Sequence, residues 1–214
     1  MRKNQMKEKF GKGEAAIGAI SNIHSGVAIE VLGLLGLDYV ILDGEHSPLS
    51  PETAEQMYRA AEVTNLSVMT RVGENTQQVI QKYMDAGSEG VLIPLVNTRE
   101  DAKRVVDAVK YPPMGKRGLA GYRASNYGLV GSLGDYVRGA NEETLIAVQV
   151  ETLEAVKNLK DILAVDGVDV VFFGPTDLSS VLGMPGQTRH PEVVALIERL
   201  GKETIAAGRV AGTL

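Results

Sequence analysis

The chain is 214 residues long, enough for one domain with a full hydrophobic core, and 44% apolar against 23% charged, an ordinary soluble composition. Its net charge of −5 argues against a nucleic-acid-binding surface. Its lack of cysteine excludes disulfides, thiolate zinc sites and a cysteine nucleophile. The N-terminal stretch MRKNQMKEKFGKG is basic but has no apolar core of the kind a signal peptide carries. No run reaches the length of a membrane span, so the expectation is a cytoplasmic protein.

In chain order, short apolar runs predict strands over 15–21, 38–43, 67–72, 90–95, 145–151, 168–174 and 209–214. They are too apolar to alternate, as expected of strands buried on both faces of a parallel sheet. Amphipathic patterns predict helices between them. The helix over 50–64 has Ser50 as N-cap and Pro51 at its first position, and the helix over 75–87 stops at Gly87. Further helices are predicted over 97–110, 152–163 and 190–208, with His190 read as a helix-start residue. Residues 111–140 read as a Gly-rich loop, too long to be idle.

Repeated strand–helix units fold as a doubly wound sheet or a (β/α)8 barrel. The polar residues favour the barrel, because Asp43 to His46, Arg71, Pro94, Glu151 and Asp177 follow the ends of five consecutive strands. A barrel gathers all its strand ends round one mouth. No dinucleotide or Walker pattern follows any strand. Seven strands are predicted where a barrel has eight, and an eighth unit would need roughly 30 more residues. The expectation is therefore one barrel domain over 1–214, short at its C-terminus.

Each polar residue has a plainer alternative. Glu151 and Asp177 suit a hard divalent ion (Mg2+, Mn2+ or Co2+) that keeps open positions, but acids near helix starts also act as caps. His46 stands within three residues of two acids, which can raise its basicity for general-base work, although a lone surface histidine is common. His24 and His190 lack such company. Arg71 reads either as a structural salt bridge to Asp43 or Glu45, or as a fixed cation beside a developing oxyanion. In Gly174-Pro175-Thr176-Asp177, a turn opening a helix would aim the N–H groups of Thr176 and Asp177 at a substrate carboxylate. No lysine ends a predicted strand, which disfavours a Schiff-base mechanism.

ILDGEHSPLS, RVGEN, VLIPLVNTREDAKRVVDAVKYPPMGKRG, VQVETLEAVKNL and GVDVVFFGPTDLSSVLG stand here in the order and spacing of one known family. Over about residues 15–214 the chain resembles the HpcH/HpaI aldolases. These are class II pyruvate aldolases of the 4-hydroxy-2-oxoheptanedioate and 2-dehydro-3-deoxy-glucarate type. The resemblance implies metal ligands at Glu151 and Asp177, a catalytic histidine at His46, an enolate-stabilising arginine at Arg71, and Asp43 and Glu45 in the same motif. It also implies a polar neighbour of the metal at Gln149, and Asp85 as the acid partner of the histidine. Asp85 falls near the end of the helix over 75–87, far from the mouth of its own barrel. It is therefore expected to serve the His46 of a neighbouring copy in a dimer-based homo-oligomer, up to a hexamer. The implied reaction splits a 4-hydroxy-2-oxo acid into pyruvate and an aldehyde, with small molecules as the only other partners. Candidates for selecting the aldehyde are Tyr122, Arg123 and Ser125. Rival readings are a CoA-ester lyase on the same scaffold and a catalytically silent barrel used for binding.

Overall fold

A computed structural model describes residues 2–214. Seven strands form one parallel sheet in the order of the chain: β1 (Gly18–Ser21), β2 (Tyr39–Gly44), β3 (Ser67–Val72), β4 (Gly90–Ile93), β5 (Leu145–Val150), β6 (Val170–Phe173) and β7 (Val210–Thr213). Each strand pairs with its neighbours in the chain, and β1 and β7 are the two edges. This is the barrel order, curled but not closed by a β1–β7 pairing among the described residues. All seven predicted strands are present, most trimmed by one to three residues at an end.

Side-chain parity divides the sheet into two faces. Val40, Leu42, Val68, Val91, Ile93, Ile146, Val148 and Val171 point outward and form one apolar cluster with the helices. Ile41, Met69, Leu92, Ala147 and Phe172 alternate with them and fill the concave side. Matching parity carries Asp43, Arg71 and Gln149 onto the concave side, one step beyond Ile41, Met69 and Ala147 toward the strands' C-terminal ends.

The outer layer contains α2 (Gly26–Leu34), α3 (Pro51–Val63), α4 (Gln77–Ala86), α5 (Arg99–Val109), α6 (Leu133–Glu143), the short α7 (Leu153–Lys157) and α8 (Leu159–Leu163), α9 (Pro175–Val181) and α10 (Pro191–Ala206). The predicted caps hold. The Ser50 hydroxyl accepts from the Thr53 amide with Pro51 in the first turn, Gly87 ends α4 in the left-handed region, and the His190 ring accepts from the Glu192 amide. The predicted helix over 152–163 is broken at Asn158, whose side-chain amide turns away to donate to the Asn97 carbonyl. The expected loop 111–140 is partly regular: residues 111–122 and 129–132 are irregular. Arg123–Gly128 forms a 3-10 turn and Leu133 opens α6, capped by the Ser132 hydroxyl.

The basic N-terminus also folds, as α1 (Gln5–Gly11). It closes the floor of the barrel. Met6 is buried among Ile41, Met69, Leu92 and Leu145, with Phe10 packed beside it. The Asn4 amide donates to Glu143, the Gln5 amide donates to the Ser67 hydroxyl, and Lys9 pairs with Asp38 at 2.7 Å. Those partners all stand at the N-terminal ends of strands or on the helix entering β5.

Candidate active site

The first half of the site hangs from β2 and β3. Asp43 and Arg71 are register partners on these adjacent strands. Arg71 donates from Nε to Asp43 Oδ1 at 3.0 Å and from Nη2 to Oδ2 at 2.7 Å, a bidentate fork. Asp43 Oδ1 also accepts the backbone N–H groups of Glu45 and His46, at 3.0 and 3.2 Å, so one carboxylate both anchors the arginine and shapes the turn after β2. Burial pushes the Asp43 carboxyl up, but Arg71 and the His46 and Glu45 amides outweigh it and hold it below the usual range. For Arg71, burial opposes the charge while Asp43 and Glu45 more than restore it.

Glu45 stands between the cation and the imidazole: its Oε2 lies 3.3 Å from Arg71 Nε and 3.5 Å from His46 Nε2. That oxygen is buried and makes no hydrogen bond of good geometry. The His46 side chain is 68% exposed and rests on this one contact, so its position is set by the backbone turn beneath it.

The second half hangs from β5 and β6. Glu151, just past β5, is buried. Its Oε1 accepts the Leu95 N–H at 2.8 Å, and its Oε2 accepts from the Gln149 side-chain amide. Burial raises its pKa; the Leu95 amide opposes this, while the charges of Asp177 and Glu45 add to it. A buried carboxylate beside a second acid is a natural place for a cation. Gln149 Oε1 is a further buried acceptor without a partner. At Gly174, the N-cap of α9, a Cβ would fall 3.1 Å from both Glu151 Oε2 and Gln149 Nε2. A side chain there would press on both groups. Pro175 occupies the first turn and Asp177 is an exposed acid in it, with Thr176 between them.

No group of three His, Cys, Asp or Glu is placed to hold an ion among the described residues. Glu151 and Asp177 beside the Gln149 amide oxygen could offer two carboxylates and one neutral oxygen, a donor set of the kind that suits a hard divalent ion keeping several waters.

Leu95 carries a feature with no sequence signal. It follows β4 with φ of 53°, the left-handed region, and this turns its N–H toward Glu151. The turn is braced from outside. The Val96 amide donates to the Gln149 carbonyl, Thr152 and Asn158 bond to Asn97, and Asp101 accepts the amides of Asn97 and Thr98.

Asp43, Glu45, His46 and Arg71 are thus in direct contact, and Gln149, Glu151, Gly174 and the first turn of α9 gather beside them. Asp85 is not brought to them. It sits in the last turn of α4, at the opposite end of the barrel, where it accepts from Arg117 at 2.6 Å and from Gln81 at 3.3 Å. Arg123 donates to the Ala86 carbonyl and to Glu62, and Ser125 is buried with its hydroxyl on the Tyr122 carbonyl. Both hold the 3-10 segment in place, while Tyr122 is exposed.

The HpcH/HpaI aldolase/citrate lyase family model matches residues 21–214. A hydroxypyruvate/pyruvate aldolase of Sagittula stellata is 41% identical over 196 residues, 91% of this chain and 76% of its own length. The 2-keto-3-deoxy-L-rhamnonate aldolase of Escherichia coli K12 is 36% identical over 211 residues, 99% of this chain and 79% of its own. The crystal structure of an HpcH/HpaI aldolase from Desulfitobacterium hafniense superposes with a TM-score of 0.92 at 33% identity, covering 97% of this chain and 80% of that one. With its strand order, its concave polar cluster and these matches, the chain belongs to the HpcH/HpaI aldolase/citrate lyase family.

Proposed function

We propose that residues 1–214 form one barrel domain that cleaves, and reversibly forms, a 4-hydroxy-2-oxo acid, with pyruvate and an aldehyde as the products. The observation that carries this reading is the placement of a fixed guanidinium, a carboxylate-flanked imidazole and a cation-ready carboxylate pair round one mouth, in a chain whose relatives are named aldolases. A divalent ion (Mg2+, Mn2+ or Co2+) held by Glu151 and Asp177 would supply Lewis-acid charge opposite the 2-oxo and carboxylate oxygens.

The chain's own groups do the rest. The N–H groups of Thr176 and Asp177 hold the substrate carboxylate, and Gln149 keeps Glu151 oriented. His46, directly or through a water, takes the 4-hydroxyl proton. The C3–C4 bond then breaks, its electron pair passes into the pyruvate enolate, and the aldehyde leaves. Arg71 holds the enolate charge until the proton taken by His46 is delivered to C3, directly or through a water, and Asp43 keeps its fork aimed there. Asp85, already paired with Arg117, is proposed to reach the His46 of a second copy in a homo-oligomer. No helix among the described residues is long and apolar enough to cross a membrane, and the substrates are small molecules.

Deuterium exchange at the pyruvate methyl, followed by NMR in heavy water with each ion and then with EDTA, tests the reading without a choice of aldehyde. Glu151→Ala and Asp177→Ala are each expected to lower ion-dependent exchange at least ~100-fold. Wild-type rates in either variant at saturating ion would refute the ligand assignment.

A further inference from the structure

The turn that carries His46 is tied to a second histidine. His24 Nε2 lies 2.9 Å from the Ser47 hydroxyl oxygen, and that hydroxyl donates to the Asp43 carbonyl. A carbonyl can only accept, so the single Ser47 proton is committed to Asp43. Ser47 must then accept from His24, which makes Nε2 the protonated nitrogen of that ring. The bond reaches from the β1–α2 segment to the β2–α3 segment, 23 residues apart in the chain.

His24 is itself well anchored. The Ser21 hydroxyl accepts the Ile23 amide at 3.2 Å just before it, and Ser25 just after it caps α2. Its ring therefore projects from a fixed frame. The turn it holds is closed at one end by Asp43 Oδ1, on the amides of Glu45 and His46, and at the other by Ser47. His46, largely exposed and resting on one 3.5 Å contact, has no packing of its own to fix it.

We propose that His24 is a positioning residue: through Ser47 it clamps the Asp43–Ser47 turn and so aims the His46 imidazole into the mouth. The proposal rests on the assignment of His46 as the proton-transferring group. It gives a role to a histidine that has no acid near it in sequence. A misplacement of about 1 Å of a reacting group can cost ~100-fold in rate, so a loosened clamp is expected to act on turnover rather than on binding.

The test compares His24→Ala, which deletes the donor, with His24→Gln, whose side-chain amide can still donate to Ser47. Amide hydrogen exchange at Glu45 and His46, read by NMR, is expected to quicken ~10-fold or more in His24→Ala and to stay near wild type in His24→Gln. In the pyruvate exchange assay, His24→Ala should lose about 10-fold in kcat with KM for pyruvate little changed, and His24→Gln should recover most of that loss. Adding His24→Ala to Ser47→Ala should cost nothing further, since His24 acts only through Ser47. Unchanged amide exchange at Glu45 and His46 in His24→Ala would overturn the clamp, as would a His24→Gln variant as impaired as His24→Ala. Should wild type show no pyruvate exchange with any ion, the aldolase reading fails, while amide exchange still decides the clamp.

Discussion

Asp43 and Arg71 form an ion pair whose side chains are only 6% and 11% exposed, so their attraction is poorly screened and neither can lose the other cheaply. Arg71→Ala leaves a buried carboxylate without its counter-charge and is expected to cost on the order of 3 kcal/mol at neutral pH. The pH dependence has a definite sign. In the wild type the folded Asp43 pKa lies below its ordinary value of 3.8, so the pair's stabilisation is complete above that value and fades as pH falls through the lower folded pKa. In Arg71→Ala, burial is opposed only by the Glu45 and His46 amides, and Asp43 moves upward. Urea unfolding at pH 7 and at pH 3 should show the gap between wild type and variant narrowing in acid. A gap that is constant with pH would mean that Arg71 stabilises by packing alone.

Among the elements, the α5–α6 junction is where a charge is buried for structure alone. Lys110, the C-cap of α5, is 2% exposed, and its Nζ donates to the carbonyls of Asn141 and Thr144 at the end of α6, 2.7 Å each. Burial, with Lys7 adding to it, brings its pKa down to about 8 from 10.5. Between those values the unfolded chain binds more protons than the folded one, so this residue makes stability rise with pH. Lys110→Met should remove that rise, flattening the slope of unfolding free energy between pH 8 and 10.5 by on the order of 1–3 kcal/mol over the interval. An identical slope in the variant would remove Lys110 from the account.

The elements also mark how far the sequence could be read. The strands were legible because runs such as VVFF and LIAVQV are apolar throughout, and α3 because Ser50-Pro51 announces its start. By contrast, α2 is almost uniformly apolar and shows no face, and α6 begins inside a stretch dense in glycine that looks like loop. Asp43, Glu45, His46 and Arg71 could be grouped because three stand within four residues and the fourth ends the next strand. The Leu95 amide on Glu151 could not, since it depends on a left-handed leucine that no residue pattern demands. Nor could His24 on Ser47, which requires two loops from neighbouring units to meet. Sequence did place Asp85 away from its own mouth; its bond to Arg117, 32 residues on, became visible only in three dimensions.

At the scale of the whole molecule, the site is divided between two non-adjacent strand pairs. Asp43, Glu45, His46 and Arg71 ride on or just after β2 and β3, and Glu151 and Asp177 follow β5 and β6, while β4 stands between them and lends only the Leu95 amide. That amide is the last link of a mechanical train. Asn75, beyond β3, donates to the Asp101 carbonyl; Asp101 grips Asn97; Asn97 is gripped in turn by Thr152 and Asn158; and two residues before it Leu95 meets Glu151. The stiffness of the carboxylate is thus borrowed from the neighbouring strand–helix connections, and it can be withdrawn there. Asn97→Ala keeps the backbone bonds to Asp101 and Asn158 but deletes the side-chain oxygen that accepts from Thr152, and this one lost link should slacken the train and quicken amide exchange at Leu95 and Val96. The segments that follow the strands then work as a tensioning frame: sequence change there can tune how firmly Glu151 is held without altering Glu151 itself.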